Sequence, residues 1–478
     1  MRRIFALGLA GLGFAAVVTA SGSASASGYL TARFGSDHGT PSSPNTFAVY
    51  FNPAALGGTT GTTITADASL VLRFASYERS AAALSPSNPS RLNDPDYVKA
   101  NTGKATLTNV LALPFLGINT DFGTKNLRAG YAFYVPFGGM ANWDRLDQNA
   151  NPNAPGGADG PQRWHNISGA LLSFYNTFAL AYKIGPVSLG ASLSGIIHTV
   201  STVRARNING DDDTMGGGKL AEGRSLITAS GFNLGAAFGV YYEPEDKDYR
   251  LGLSYTTQPG FGETKMTGEL EQTLASGPKG QVTKVNFLQS YPDIIRLGAA
   301  KKLGSKWEIR TDFEYVRWSV FDKQCLVAEG KSCDLSVAPA SAGGEAGRPG
   351  YNPTGDVILN VPRNWNDSIG MRLAPAFFLN ENIELFASVG FTTPAVPKAT
   401  IDASTIDSLR FYGTLGGKFN LGKHVGLGVS YNHIAFMTVD TAGQSGQQGY
   451  AQQSRSPSAE GKYKSQIAMF NANVSYTF

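Results

Sequence analysis

The chain has 478 residues, of which 16% are charged, and its 40 basic and 36 acidic side chains leave a formal net charge of +4. Charge this sparse and this balanced carries no nucleic-acid footprint. The 57 glycines and 11% aromatic residues, in a chain with no sustained helical period, suit a large β-structure.

The N-terminus sets the compartment. Arg2 and Arg3 precede an apolar stretch from Ile4 to Thr19, and Ala24-Ser25-Ala26 forms a small-residue cleavage site. Residues 1–26 are therefore expected to be a secretory signal peptide, removed before folding. Small and polar residues from Ala20 onward break the run before it could span a membrane as an anchor. No later apolar run approaches the roughly 20 residues of a transmembrane helix. The exported chain is then either soluble or crosses a membrane as strands.

Residues 27–61 are rich in Gly, Ser, Pro and aromatics, with no clear period. Phe34, Phe47, Tyr50 and Phe51 would be costly to leave in water, so this segment is expected to pack rather than trail as a leader. It ends in Asn52-Pro53-Ala54, read either as a structural hinge or as a turn into the first strand. From Thr62 the sequence reads as fourteen strand candidates, beginning near Thr62, Thr106, Leu127, Ile167, Val187, Ser225, Tyr249, Val282, Lys306, Asn364, Ile383, Ser408, His424 and Tyr463.

Short joints at 121–126, 185–186, 243–248, 304–305, 380–382 and 422–423 carry Gly, Pro, Asn and Asp, the residues of tight turns. Long connections run from Gly138 to Asn166, Ala205 to Arg224, Phe321 to Arg363 and Thr438 to Lys462. Short turns on one side and long loops on the other are the pattern of a bacterial outer-membrane barrel. The strands agree. Phe470, Ala472, Val474, Tyr476 and Phe478 share one face and Asn471, Asn473, Ser475 and Thr477 the other, while Glu308, Arg310, Asp312 and Glu314 alternate with Trp307, Ile309, Thr311, Phe313 and Tyr315. Turning four charges to lipid would cost several kcal/mol, so they are expected to face the lumen. The expected fold is an all-β transmembrane antiparallel barrel of about fourteen strands over residues 62–478, with 27–61 as a lumenal hatch.

Several motifs then resemble a known family, the outer-membrane transporters of long-chain fatty acids and other hydrophobic compounds (FadL/TodX type). The resemblance rests on Asn52-Pro53-Ala54, Arg250 to Tyr255, Pro292 with Arg296-Leu297-Gly298, and Asp312 to Ser319. It continues in Asn364 to Asp367, Phe391 to Pro397 and the terminal Phe478, in the family's order over almost the whole mature chain. It implies a fourteen-stranded barrel whose N-terminal segment is a hatch, and passive uptake of hydrophobic molecules with sideways exit at an inward kink in the third strand. Here that strand runs into Pro136-Phe137-Gly138-Gly139, read either as such a break in pairing or as the end of the strand. Phe34, Phe47, Tyr50 and Phe51, with Phe137 and Met140, are the candidate substrate residues, and Pro136, Gly138 and Gly139 the candidate window. Arg296 and Arg310 are expected to pair with Asp312 or Glu314 in the lumen, with a substrate carboxylate as the alternative. The implied partners are the hydrophobic substrate, outer-membrane lipid and, through Phe478, the barrel-assembly machinery, with a monomer expected. A general porin for polar solutes and a barrel enzyme acting on lipid are the alternative functions.

Other chemistry is thin. His38, His165, His198, His424 and His433 show no spacing suggestive of a triad, and no catalytic residue, cofactor or metal is expected. Gly216-Gly217-Gly218-Lys219 lacks the spacing and following hydroxyl of a phosphate loop. Asp211-Asp212-Asp213 reads as a solvated loop rather than a cation site. Cys325 and Cys333 fall in one predicted loop, where export favours a disulfide over a metal pair. Trp143, Trp164, Trp318 and Trp365, with Tyr315 and Phe321, are expected to form an interfacial girdle, with a lumenal groove as the alternative.

Overall fold

The computed structural model describes residues 33–478 apart from 87, 148–152, 208–209, 217–218, 274–279, 335–355 and 446–455. The expected signal peptide and the first residues of the expected hatch lie outside the described residues. Among those described, fourteen wall strands close into an antiparallel barrel, the last pairing with the first from Thr63↔Thr477 to Glu78↔Lys462. They are β1 (Thr62–Arg79), β2 (Gly103–Thr120), β3 (Leu127–Asn142), β4 (Ser168–Ile184), β5 (Val187–Arg206) and β6 (Gly223–Tyr242). Four interrupted strands follow: β7 (Tyr249–Thr256, then Glu263–Thr273), β8 (Gln281–Ser290, then Ile294–Leu303), β9 (Trp307–Val316, then Lys323–Ala328) and β10 (Val357–Pro362, then Ser368–Asn380). The ring ends with β11 (Ile383–Thr392), β12 (Arg410–Leu421), β13 (Val425–Phe436) and β14 (Lys462–Thr477). Closure joins the last strand to the first, so most of the strand backbone that meets lipid is paired.

Burial follows the period of two. Leu251, Leu253 and Tyr255 on β7, Trp307 and Ile309 on β9, and Phe470, Val474 and Tyr476 on β14 are exposed on the outer face. Glu308 and Arg310 are buried on the inner one. The interruptions in β7 to β10 lie side by side. Above them the outward residues of β7 are Glu263, Lys265, Thr267, Glu269 and Glu271, all exposed, so the hydrocarbon belt ends near this level. Polar contacts hold the break. Arg317 donates to Asp293 at 2.6 Å, Tyr255 to the other Asp293 oxygen at 3.0 Å, and Tyr315 to Asp367 at 2.5 Å. Several family-like motif residues are thus spent on bending the wall.

Residues 33–61 run inside the ring. Asn52 caps a short 3-10 helix (Pro53–Gly58) through Ala54 N at 3.1 Å, with Pro53 in the first turn, where its missing donor costs nothing. The Asn52 amide also donates to Pro41 O at 2.9 Å and to Val240 O of β6 at 3.0 Å, tying the segment to the wall. Asp37, fully buried, takes Arg372 of β10 at 2.8 Å and Ser388 of β11 at 2.9 Å. Gly35 donates to Asp67 of β1 at 2.9 Å, and Thr46 to Asn119 of β2 at 2.6 Å. The wall makes room with glycines. A Cβ on Gly239 would stand 1.9 Å from Asn52 Oδ1, one on Gly190 2.3 Å from Ala54 N, and one on Gly252 2.0 Å from Pro41 O.

Candidate functional site

β3 is where the wall departs from a regular barrel. Its in-out alternation runs as far as Phe133, after which every residue from Tyr134 to Ala141 is buried. The β2–β3 ladder stops at Phe115↔Tyr134, although β2 continues beside β1 up to Arg79↔Gly103. On the β4 side the register shifts between Tyr134↔Tyr175 and Phe137↔Ser173, so Val135 and Pro136 stand against Phe174 alone. One extra residue bends a strand and raises its local twist, and Pro136 has no N–H for the ladder. The reading of Gly138 as the start of a loop is corrected: the strand continues to Asn142, with Gly138 and Gly139 paired to Leu172 and Leu171.

The upper parts of β2 and β3 are joined by side chains instead. Asn109 accepts from Asn142 N at 3.0 Å and donates to Asn142 O at 3.1 Å, imitating a ladder step. Arg73 donates to Met140 O at 2.9 Å. Beneath these ties lies a stretch with no backbone ladder, flanked by Leu111, Leu113 and Val135.

Among the described residues, three of the cavities lie inside the ring. The inner one, about 440 Å³, is lined by Tyr50 of the N-terminal segment, Pro136 and Phe137 of the kink, and Tyr134, Tyr175, Ile196, Ala237 and Pro292. The outer one, about 670 Å³, is walled by Leu171, Val200, Ile227, Phe287, Leu326 and Leu359, and holds His165, Arg204 and Arg363. Arg363 is committed to Asp402 at 2.9 Å and to Gln324 at 2.7 Å. Arg204 Nε and His165 Nε2, by contrast, are buried with no hydrogen-bond partner among the described residues. Burial holds His165 down to about 4, with Arg79 and Arg204 acting the same way and Asp402 opposing. The third cavity, about 780 Å³, is polar, with Arg33, Arg296, Asp312, Glu314, Arg372 and Arg410 beside Tyr50 and Phe51.

The candidate residues from the sequence separate accordingly. Tyr50 and Phe137 line the inner cavity, and Tyr50 and Phe51 the polar one. Phe34 and Phe47 pack instead into an aromatic cluster with Phe115, at centroid distances of 5.4 and 4.9 Å. Met140 lies outside the three cavities and offers its carbonyl to Arg73. Arg296 pairs with Glu314 at 2.7 Å and also donates to Tyr50 at 2.9 Å. Arg310, however, pairs with Glu308 and Glu384, and Asp312 is taken by Arg372 at 2.7 Å. Cys325 and Cys333 are disulfide-bonded, with Cα atoms 6.2 Å apart.

Two expectations fail outright. Trp143, Trp164, Trp318, Trp365 and Phe321 form no girdle: all are at most 6% exposed, and Trp318, Phe321 and Trp365 pack together with Phe137 against Trp318. They follow breaks in the wall that turn chain inward, which alternation within strands cannot signal. The Asp211-Asp212-Asp213 run is buried rather than solvated. Asp212 meets Arg79 at 2.7 Å and Tyr97 at 2.5 Å, and Asp213 meets Arg91 at 2.8 Å, partners more than a hundred residues away in sequence. Arg204, Tyr175, Tyr291 and Arg372 were not singled out from sequence. Their lone polar or aromatic identities gave no spacing to notice.

A family model described as outer membrane protein transport protein (OMPP1/FadL/TodX) matches residues 14–478. Among solved structures, a Pseudomonas aeruginosa FadL homologue is 14% identical, with 96% of this chain and all of that one covered and a TM-score of 0.69. The Pseudomonas putida toluene transporter TodX is 13% identical over 95% of this chain and 99% of its own, with a TM-score of 0.60. The Ralstonia pickettii toluene transporter TbuX is 14% identical over 95% and 99%, with a TM-score of 0.56. At such identities these likenesses establish a shared fold. No curated protein sequence matches the chain.

Proposed function

From the chain's membership of the OMPP1/FadL/TodX family of outer-membrane transport proteins, we propose that it carries hydrophobic small molecules passively across the bacterial outer membrane and releases them sideways through the gap between β2 and β3. The observation that carries this reading is the kink of β3. A strand that leaves its neighbour's ladder at Tyr134 and buries every residue from there to Ala141 supports an opening in the wall at that level. Residues 27–61 serve as the hatch, with Asn52, Pro53 and Ala54 holding it seated. The outer cavity captures substrate, and the inner one, bordered by Pro136 and Phe137, hands it to the window.

The driving force is transfer of apolar surface out of water, roughly 25 cal/mol per Å², so the process needs neither an energy source nor catalysis. Arg204 narrows the substrate. Its buried Nε meets no hydrogen-bond acceptor among the described residues, and such a donor is costly unless a ligand oxygen completes it. An amphipathic carboxylate such as a fatty acid supplies both that oxygen and the apolar tail. The chain acts as a monomer surrounded by outer-membrane lipid, and the exposed Phe478 is the residue presented to the barrel-assembly machinery.

The test is deletion of Pro136. Removing the extra residue restores the β3–β4 register and draws β3 back toward β2. Cells with a lipopolysaccharide surface that depend on this protein should then lose uptake of a labelled hydrophobic probe, while the folded barrel remains heat-modifiable on gels. Undiminished uptake by the folded variant would remove the window from the mechanism. A large, steady conductance of the unaltered protein in planar bilayers would favour a porin instead.

A further inference from the structure

On β4 and β5 the inner and outer cavities are separated by a single inward residue on each strand. On β4 the inward residues run Leu171, Ser173, Tyr175, and on β5 Val200, His198, Ile196. In each set the first lines the outer cavity, the last lines the inner one, and the middle residue lines neither. Those middle residues are register partners, Ser173↔His198, and Ser173 is also paired with Phe137 across the kink. Tyr291, at the break in β8, closes the layer by stacking on His198 at 4.4 Å and meeting Phe137 at 5.7 Å. All four are nearly or fully buried.

A molecule moving from capture to window along β4 and β5 passes this rung, and the rung is not purely apolar. Ser173 Oγ lies 2.7 Å from His198 Nδ1. His198 Nε2 is buried and has no hydrogen-bond partner among the described residues. Leaving such a group unmet costs about 1–3 kcal/mol, a cost with no structural return in a layer that aromatic rings alone could fill. When Ser173 donates to Nδ1, Nε2 carries the hydrogen and is a donor with nothing to receive it.

We propose that Phe137, Ser173, His198 and Tyr291 form a gate between the two cavities, and that His198 is its specificity-determining residue. The ring of Tyr291 slides off the imidazole to admit the tail of the substrate. Nε2–H then receives the one oxygen-bearing head of an amphipathic molecule as it passes. Ser173 is a positioning residue that keeps Nδ1 unprotonated and Nε2 a donor. The gate rests on the transport reading but not on where the substrate leaves, and it selects by head group rather than by chain.

Uptake of labelled dodecanoate and labelled dodecane by lipopolysaccharide-bearing cells expressing the full chain tests this, because the two probes share a tail. His198→Phe keeps the stacked ring and removes the donor. It should slow dodecanoate about tenfold, the equivalent of about 1.4 kcal/mol or one hydrogen bond, and leave dodecane unchanged. His198→Gln, which restores an N–H, should recover dodecanoate to within about threefold of the unaltered protein. Equal slowing of both probes would mean that His198 only packs, and no change in either would take the rung off the path; each overturns the gate. Failure of the unaltered protein to take up either probe would instead overturn the transport reading. Heat-modifiable migration of each variant establishes that the barrel has folded.

Discussion

Asn52→Ala is the most direct probe of how the N-terminal segment is held. The side chain is fully buried and makes three hydrogen bonds, to Pro41 O at 2.9 Å, to Val240 O at 3.0 Å and from Ala54 N at 3.1 Å. Two shape the segment itself and one fastens it to β6. Alanine removes all three bonds in a space too tight for easy rehydration. At about 1 kcal/mol net for each bond the loss is about 3 kcal/mol, or roughly a 100-fold rise in the unseated population. The wall loses no ladder bond, so the barrel should survive. Purified full-length protein in planar bilayers should show brief ion-conducting openings roughly 100-fold more often than the parent. Asn52→Asp, which keeps the acceptor for Ala54 N, should fall between the two. Traces from a folded Asn52→Ala protein that match the parent would show that the side chain does not hold the plug.

Three further outcomes are expected. Arg204→Gln should lower the affinity of the purified protein for dodecanoate by about tenfold or more, the worth of a charged hydrogen bond, and leave dodecanol binding within twofold, both measured by displacement of a fluorescent probe. His165, held near 4 against an ordinary value of 6.5, is more readily protonated once its surroundings open. The stability it lends is therefore present above about pH 6.5 and is lost, by roughly 3 kcal/mol, as pH falls toward 4. Hydrogen exchange of residues 153–167 should accelerate over that window, and His165→Asn should flatten the dependence. Deleting Phe478, which is 67% exposed and donates its N–H to Thr62 O at 2.9 Å, should cut assembly in cells several-fold while leaving refolding in detergent unchanged.

The barrel was legible in the sequence because its causes are local. Alternation as in Phe470 to Phe478, and turn residues at one end of each hairpin, need no knowledge of distant chain. Strand starts agree with the structure to within three residues, apart from Asn364, which falls in the break before Ser368. What stayed hidden depends on neighbours far along the chain. Pro136 could be seen as a breaker, but whether the strand ended or bent depended on β4 being there to keep pairing with Gly138 and Gly139. The burial of Asp212 depends on Arg79 and Tyr97, and that of Trp318 on Phe137 and Trp365. Arg204 stands apart for a buried Nε that no described residue meets, and such a gap leaves no mark in a sequence.

The glycines of the wall carry a consequence for exchange between relatives. Gly190, Gly239 and Gly252 are hollows cut to the outline of Ala54, Asn52 and Pro41. Two surfaces shaped to each other this closely must be changed together. A segment of different outline placed over these three glycines would find no recess where it needs one, and would sit proud of the wall. Grafting the three hollows with the plug should restore the fit. The unit to move between these proteins is the stopper with its socket.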